Sequence, residues 1–196
     1  MTIDEICRKY GITNYIINED GSINVNGNVR LVNENLTELP LRFNKVTGDF
    51  NCSGNQLTSL KGSPRWVGGY FYCDFNDLTS LEFSPDYVGD SFGCVDNDLT
   101  DLVGSPKEVG GYFYCASNQN LVNLKGYSEK IGKELVCHYT PLGSIFDRVD
   151  RHFLYTFNFY KIIKEDTVNL KRLKYVMDLY DQPIDLDKIK EYYRIV

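Results

Sequence analysis

Residues 69–85 read GYFYCDFNDLTSLEFSP, and closely similar phrases occupy residues 48–64, 90–106 and 111–127. The cysteines of these phrases lie 21 residues apart, and Cys137 follows after 22 because one residue is inserted at the step from Gln119 to Asn120. Self-similarity at a fixed spacing of this length is typical of proteins built from stacked coils, in which each coil covers the apolar face of the next. The sequence therefore predicts a solenoid.

The aligned phrase is F-x-C-x-x-N-x-L-T-x-L-x-x-S-P-x-x-V-G, and its columns have distinct physical roles. Alternation along a strand predicts that Phe71 and Cys73 face the interior while Tyr72 faces outward. The asparagine of each phrase, such as Asn76, can bond backbone groups where the strand ends. We expect the proline column, such as Pro85, to fix the return path on the convex side and the paired glycines to permit tight re-entry into the strand.

Over residues 23–143 the phrase resembles the leucine-rich-repeat consensus L-x-L-x-x-N-x-L-x-x-L, with Phe and Cys in place of two strand leucines. It is similar to short repeat proteins of tailed bacteriophages and bacteria, and more distantly to repeat segments of secreted bacterial effectors. The resemblance implies an α/β solenoid of 21-residue units with a parallel sheet on its concave face. It also implies an accessory protein that binds and modulates a host or defence protein.

The repeats divide the chain into three predicted parts. Residues 1–28 form an N-terminal cap, with a helix within residues 3–10 and two short strands around the Asp20–Gly21 turn. Residues 29–143 form the repeats, the first of them degenerate. Residues 144–196 show helical spacing in three stretches and predict a helical cap that covers the open end of the stack. Within this cap we expect Phe153, Phe157 and Tyr160 to pack onto the last repeat, and a homodimer through the cap is an open alternative.

Charge and hydropathy exclude several classes of partner. The formal net charge is −6, which argues against a duplex nucleic acid held through its phosphates. No apolar run reaches membrane-spanning length, and the N-terminus lacks the apolar stretch of a secretory signal, so we expect no membrane partner. The cysteine column predicts packed free thiols in a reducing compartment, and hence a cytoplasmic location, since in-register neighbours have poor disulfide geometry.

Catalysis and metal binding are not indicated. A zinc site needs converging ligands and usually a close cysteine pair, and the sequence contains no such pair. The two histidines are His138 and His152, and the second lies near Ser144 and Asp150 without forming a recognisable catalytic motif. We therefore expect a non-enzymatic protein without cofactor or metal.

The variable outward positions predict the binding site. Tyr70 and Tyr72 on one coil and Tyr112 and Tyr114 two coils later would form the walls of a notch with Ser91 and Gly93 as its floor. An alternative interpretation is that tyrosine merely stabilises the sheet as a good strand residue. The predicted partner-binding residues are Tyr70, Tyr72, Asp74, Phe75, Ser91, Gly93, Tyr112, Tyr114, His138 and Tyr139.

The sequence thus favours a protein-binding module that acts through its concave face. A structural or virion-associated role, including contact with a receptor and self-association through the C-terminal cap, is the alternative. A groove lined by tyrosines could hold a peptide, a glycan or a folded protein, and the sequence leaves these three open.

Overall fold

The computed structural model describes residues 1–146, 148–164 and 167–196, and it shows a β-solenoid of about five turns. Two seven-stranded sheets run along the coils. The strands of sheet A, in spatial order, are β1 (Tyr15–Ile17), β2 (Ile23–Val25), β4 (Phe43–Val46), β6 (Trp66–Val67), β8 (Tyr87–Val88), β10 (Glu108–Val109) and β12 (Lys130–Ile131). Those of sheet B are β3 (Val29–Arg30), β5 (Phe50–Asn51), β7 (Phe71–Tyr72), β9 (Phe92–Gly93), β11 (Phe113–Tyr114), β13 (Glu134–Val136) and β14 (Arg148–Asp150).

The interior of the solenoid is built from columns of identical residue types, as the phrase predicts. Phe71 pairs in register with Phe92, and their rings stack with centroids 5.4 Å apart. Cys73 is fully buried, and its thiol donates to the Gly93 carbonyl oxygen at 3.2 Å. This confirms the predicted inward direction of the phenylalanine and cysteine columns, and with it the strand register.

The asparagine column closes the turn after each sheet B strand. Asn97 accepts from the Leu78 backbone N–H at 3.0 Å, and its amide donates to carbonyls of its own coil and of the preceding coil, among them Cys73 at 3.1 Å. The side chain is almost fully buried, so these bonds satisfy backbone groups that water cannot reach. The predicted role of this column is confirmed.

Each coil also contributes a strand to a second sheet, which was not predicted. The return path after the proline column forms the strands of sheet A, in which Val67 pairs in register with Val88 and both side chains are buried. The glycine after each valine lets neighbouring coils approach, since a Cβ on Gly89 would lie 2.1 Å from the Gly68 carbonyl oxygen. Residues 11–141, which the structure describes in full, contain no helix.

The N-terminal segment contains the predicted helix and the two predicted short strands. Helix α1 (Ile3–Lys9) begins at Thr2, whose side chain accepts from the Glu5 backbone N–H in a capping box. Strands β1 and β2 pair antiparallel around the turn at Gly21. Because β2 already pairs in parallel with β4, the solenoid begins within the residues predicted as a cap.

The C-terminal segment is a mixture of helices and strands rather than a helical bundle. Strand β14 pairs antiparallel with β13 and ends sheet B. Phe153 and Phe157 are buried and contact Phe146, whereas Tyr160 is only partly buried against the core. The remaining elements are η1 (Leu142–Ser144), α2 (Arg151–Phe159), β15 (Ile163–Lys164), β16 (Thr167–Val168), α3 (Leu170–Leu179), α4 (Leu186–Lys190) and β17 (Arg194–Ile195), of which β15, β16 and β17 form a three-stranded sheet.

Candidate functional site

The outer face of sheet B carries three columns of side chains, one before each inward phenylalanine, one between the phenylalanine and the cysteine, and one after the cysteine. From β5 to β13 the first column is Asp49, Tyr70, Ser91, Tyr112 and Glu134; the second is Asn51, Tyr72, Gly93, Tyr114 and Val136; the third is Ser53, Asp74, Val95, Ala116 and His138. In β3, Arg30 pairs with Asn51 of the second column. Adjacent strands pair in register, so that Tyr72 and Tyr114 lie on either side of Gly93. The fold therefore brings the predicted tyrosines to one face.

Two stacked tyrosine pairs dominate this face. The rings of Tyr70 and Tyr72 have centroids 5.5 Å apart and an interplanar angle of 16°. Those of Tyr112 and Tyr114 have the same separation and an angle of 26°. The pairs lie two strands apart, which corresponds to about 10 Å at the usual strand spacing. Tyr70 is the most exposed of the four, at 38% of its surface.

The predicted floor of the notch is present but is not open. Ser91 is 3% exposed and Gly93 is buried. A Cβ on Gly93 would lie 2.6 Å from Cδ1 of Tyr72, which shows that the tyrosine ring lies over the glycine. The expectation of a bare floor is corrected for this reason: the missing side chain makes room for a neighbouring ring.

Asp74 is the most unusual charged group of the face. Its Oδ1 accepts from the Val95 backbone N–H at 2.8 Å. Burial raises the pKa of this carboxyl to about 6, and the Val95 hydrogen bond only partly offsets the effect. The other coils have Ser53, Val95, Ala116 and His138 at this position, so Asp74 is the one carboxylate of the column.

Two further carboxylates flank the tyrosines. Asp49 Oδ1 accepts from the Tyr70 backbone N–H at 2.9 Å, and Asp90 Oδ1 accepts from the Ser91 hydroxyl at 3.1 Å. The Asp90 carboxylate raises the pKa of Tyr70, and burial raises that of Tyr72 to about 12. Both phenols thus remain protonated at neutral pH, and the carboxylates give the face its negative charge.

Phe75 and Tyr139 do not lie on the sheet face. Both adopt left-handed backbone conformations, with φ of 55° and 56°, at the corner where the strand ends. They are 58% and 80% exposed and belong to different coils. His138 lies on the face in the column of Asp74, with its ring 6.4 Å from that of Tyr139. The structure therefore separates the predicted residues into a tyrosine face and a corner.

Sequence reasoning missed Asp90 and Lys133, which replace the second glycine of the V-G-G pattern at the edge of the face. The Lys133 ammonium lies 4.8 Å from the centroid of the Tyr112 ring. It also missed Phe83, an exposed aromatic residue with φ of 68° at a position where other coils have glycine. The signal in all three cases is a departure from glycine in an otherwise constant column.

The described residues offer little for catalysis. All six cysteines are buried free thiols, and burial raises the pKa of Cys52, Cys73, Cys94 and Cys115. Asp150, near His152 in sequence, caps α2 by accepting from the His152 and Phe153 backbone N–H groups. In the described part of the chain no group of three or more His, Cys, Asp or Glu side chains is placed to hold a metal ion.

Among the same residues, no helix combines the length and apolar character needed to cross a membrane. In comparisons with known proteins, no family model matches the chain, and no curated protein or solved structure matches it significantly.

Proposed function

We propose that this chain is a non-enzymatic binding module of the leucine-rich-repeat type, which holds a protein partner on the outer face of sheet B. The observation that carries the proposal is the arrangement of two stacked tyrosine pairs on one rigid sheet. Tyrosines bury a large area at low entropic cost, and they are enriched in protein interfaces.

The resemblance of the repeats to those of tailed-bacteriophage proteins supports a specific version of this role. In it, the chain is an accessory protein that acts in the bacterial cytoplasm and modulates a host or defence protein. The C-terminal segment acts as the cap of the stack, which is supported by the hydrogen bond from the Tyr193 hydroxyl to the Val122 carbonyl oxygen at 2.7 Å. The net charge of −6 disfavours a nucleic acid as partner.

Affinity capture from bacterial lysate tests this proposal. The wild type is compared with a variant in which Tyr70, Tyr72, Tyr112 and Tyr114 are replaced by serine. A control variant carries Trp66→Ala and Tyr87→Ala on sheet A. The three proteins must first show equal thermal midpoints.

A partner held by the wild type and the control, lost by the tyrosine variant and rebound in purified form, would support binding at sheet B. A partner held equally by all three proteins, or lost only from the sheet A control, would contradict it.

Self-association is a second candidate function, and an exposed aromatic cluster on α2 and α3 favours it. The rings of Tyr155 and Phe159 stack at 6.4 Å, and the Phe159 ring contacts Tyr160 edge-on at 5.3 Å. Exposed apolar clusters of this kind often form contacts between subunits. The exposed members are Tyr155, Phe159, Tyr175 and Leu179.

Sedimentation equilibrium of the wild type and of a Tyr155→Ser, Phe159→Ser variant decides this point. A dimer mass that the variant reduces to that of a monomer would support a structural or virion-associated role through this segment. A monomer mass for the wild type at high concentration would exclude it.

A further inference from the structure

Three aspartates of sheet B, Asp49, Asp74 and Asp90, have no cationic partner among the residues that the structure describes. Asp49, Asp74 and Asp90 are held by backbone N–H groups and by the Ser91 hydroxyl, all of them neutral donors. No lysine or arginine among the described residues forms an ion pair with any of these three aspartates. A buried or half-buried carboxylate next to aromatic rings attracts an external cation, since such a charge is poorly compensated.

The tyrosine rings offer the complementary surface for that cation. Among the described residues, a lysine ammonium lies over an aromatic ring in three places, at 4.8 Å for Lys133 and Tyr112, 4.5 Å for Lys45 and Trp66, and 4.7 Å for Lys9 and Tyr10. The Asp90 carboxylate lies close enough to Tyr70 to raise the pKa of its phenol by charge repulsion. The faces of tyrosine rings attract cations.

From this arrangement we propose that sheet B binds an arginine side chain of a basic peptide segment, with the guanidinium stacked on the Tyr70–Tyr72 pair and attracted by the carboxylates of Asp74 and Asp90. The proposal rests on the protein-binding role proposed above and names the chemistry of the partner. Arginine fits better than lysine because its planar guanidinium can stack on a ring while its N–H groups bond a carboxylate.

The buried carboxylate of Asp74 supports this proposal. A carboxylate buried without a cation destabilises the folded chain, and the other coils hold Ser53, Val95, Ala116 and His138 at this position, none of them a carboxylate. A guanidinium from a partner would remove that penalty in the complex. The ionised carboxylate of Asp74 would then destabilise the free protein and stabilise the complex.

Binding of defined peptides to the full chain tests the proposal. The probe is a fluorescein-labelled Gly-Ser-Arg-Gly-Arg-Gly-Arg-Gly-Ser peptide, followed by fluorescence anisotropy, and matched peptides carry lysine, glutamine or glutamate in place of arginine. We expect the arginine peptide to bind most tightly and the glutamate peptide not to bind. Asp74→Asn and Asp90→Asn should each weaken arginine-peptide binding about tenfold or more.

Asp86→Asn is the matched control, because it removes the same charge from sheet A. It should change the dissociation constant by no more than about twofold, since only long-range attraction is lost. An equal effect of Asp86→Asn and Asp74→Asn would overturn the proposal, because it would reduce the interaction to net charge. So would equal binding of the arginine and glutamine peptides, the absence of arginine-peptide binding, or tighter binding of a neutral oligosaccharide such as chitohexaose.

The pH dependence gives an independent readout. The groups that interact electrostatically with Asp74 are Tyr72 and the thiols of Cys52, Cys73 and Cys94, and each has a raised pKa. Affinity for the arginine peptide should therefore rise between about pH 5 and pH 7.5 as Asp74 ionises, and Asp74→Asn should flatten this dependence. A rise that is unchanged in Asp74→Asn would overturn the assignment to Asp74.

Failure of this inference is distinguishable from failure of the proposed function. If capture of a partner depends on the tyrosines but the arginine peptide does not bind, sheet B remains the binding face. Only the proposal that it selects arginine is then rejected. If capture does not depend on the tyrosines, both proposals fall.

Discussion

Sheets A and B share one scaffold and one coil spacing, yet their outer faces differ in how charge is matched. On sheet A, Asp86 forms ion pairs with Arg65 at 2.9 Å and Lys107 at 2.8 Å, and Lys130 reaches Glu108 at 3.2 Å. On sheet B, Asp74 is held by a backbone N–H alone among the contacts of the described residues. Sheet A therefore complements itself, whereas sheet B presents charge that a partner could complement.

The two aspartates show this difference in their titration. Lys107 and Arg65 lower the pKa of Asp86, while burial raises the pKa of Asp74 to about 6. Aromatic residues do not follow this division, because a lysine ammonium lies over a ring on both sheets, Lys45 over Trp66 at 4.5 Å on sheet A and Lys133 over Tyr112 at 4.8 Å on sheet B. One solenoid thus holds two aspartates in opposite electrostatic settings, one buried and one paired with cations.

The largest loss of stability is expected from replacing an asparagine that closes the turn after a sheet B strand. Asn118 is fully buried and bonds the Leu99 backbone N–H at 3.1 Å as well as three carbonyls. Asn118→Ala leaves these groups unsatisfied and should lower the free energy of unfolding by about 3 kcal/mol or more. Urea unfolding followed by circular dichroism measures the loss.

The control for this prediction is Asn123→Ala, which removes a single turn bond to the Lys125 backbone N–H at 2.9 Å. Asn123→Ala should lower the free energy of unfolding by about 1 kcal/mol, which is the net contribution of one hydrogen bond. Equal losses for the two variants would mean that the asparagine column is not the support of the turn.

The sequence was sufficient to predict the interior of the solenoid, because Phe71, Cys73 and their equivalents recur at a fixed spacing that only a stack explains. It did not reveal sheet A. The strands of that sheet, such as Tyr87–Val88 and Glu108–Val109, bury one residue each, whereas the sheet B strands are marked by the inward phenylalanine and by the cysteine that follows it. Their bonds join neighbouring coils, and local sequence patterns do not report such nonlocal pairing.

The same physical limit applies to the site and to the C-terminal segment. The tyrosine columns followed from strand register, but the Tyr72 ring over Gly93 and the burial of Asp74 depend on side-chain packing between coils. In the C-terminal segment, helical spacing located α2, α3 and α4, whereas β15, β16 and β17 are stabilised by partners distant in sequence.

The second prediction tests the contrast between the two aspartates. The pKa of Asp74 is about 6 in the folded chain and has an ordinary value of 3.8. Between these values the folded state holds a proton that the unfolded state has lost, so stability falls as pH rises through this interval. Asp74→Asn, which keeps an acceptor for Val95, should raise the free energy of unfolding at neutral pH by about 1–3 kcal/mol.

Thermal unfolding across this range checks the sign. The advantage of Asp74→Asn should vanish below the ordinary pKa of the carboxyl, where wild-type Asp74 is protonated in both states. Asp86→Asn on sheet A should have the opposite sign at neutral pH, with a loss of no more than about 1 kcal/mol because its ion pairs are exposed. An advantage of Asp74→Asn that persists unchanged in acid would indicate a packing effect instead.

The third prediction concerns the glycine beneath the tyrosine ring. A Cβ on Gly93 would lie 2.6 Å from Tyr72 Cδ1 and 2.7 Å from Asp74 Oδ1, so Gly93→Ala should displace both side chains and cost about 1–2 kcal/mol. Combining Gly93→Ala with Tyr72→Ala should cost less than the sum of the two single changes, since the clash is relieved. Strict additivity in urea unfolding would show that the ring does not occupy the space over the glycine.

The smallest effect is expected from Phe83→Gly, which tests whether the binding surface ends at sheet B. Phe83 lies in the turn that leads into sheet A, with φ of 68°, where Gly62 and Gly104 have φ of 98° and 88°. Phe83→Gly relieves the left-handed strain and should raise the thermal stability by up to about 1 kcal/mol, whereas Glu82→Gly, at negative φ, should lower it. Arginine-peptide binding should stay unchanged in Phe83→Gly, because the residue is remote from the tyrosine columns along the coil. Loss of binding in this more stable variant would extend the interface to the turn beside sheet A. Phe83 would then belong to the peptide-binding surface together with sheet B, and the contrast between the two sheets would not mark the edge of that surface.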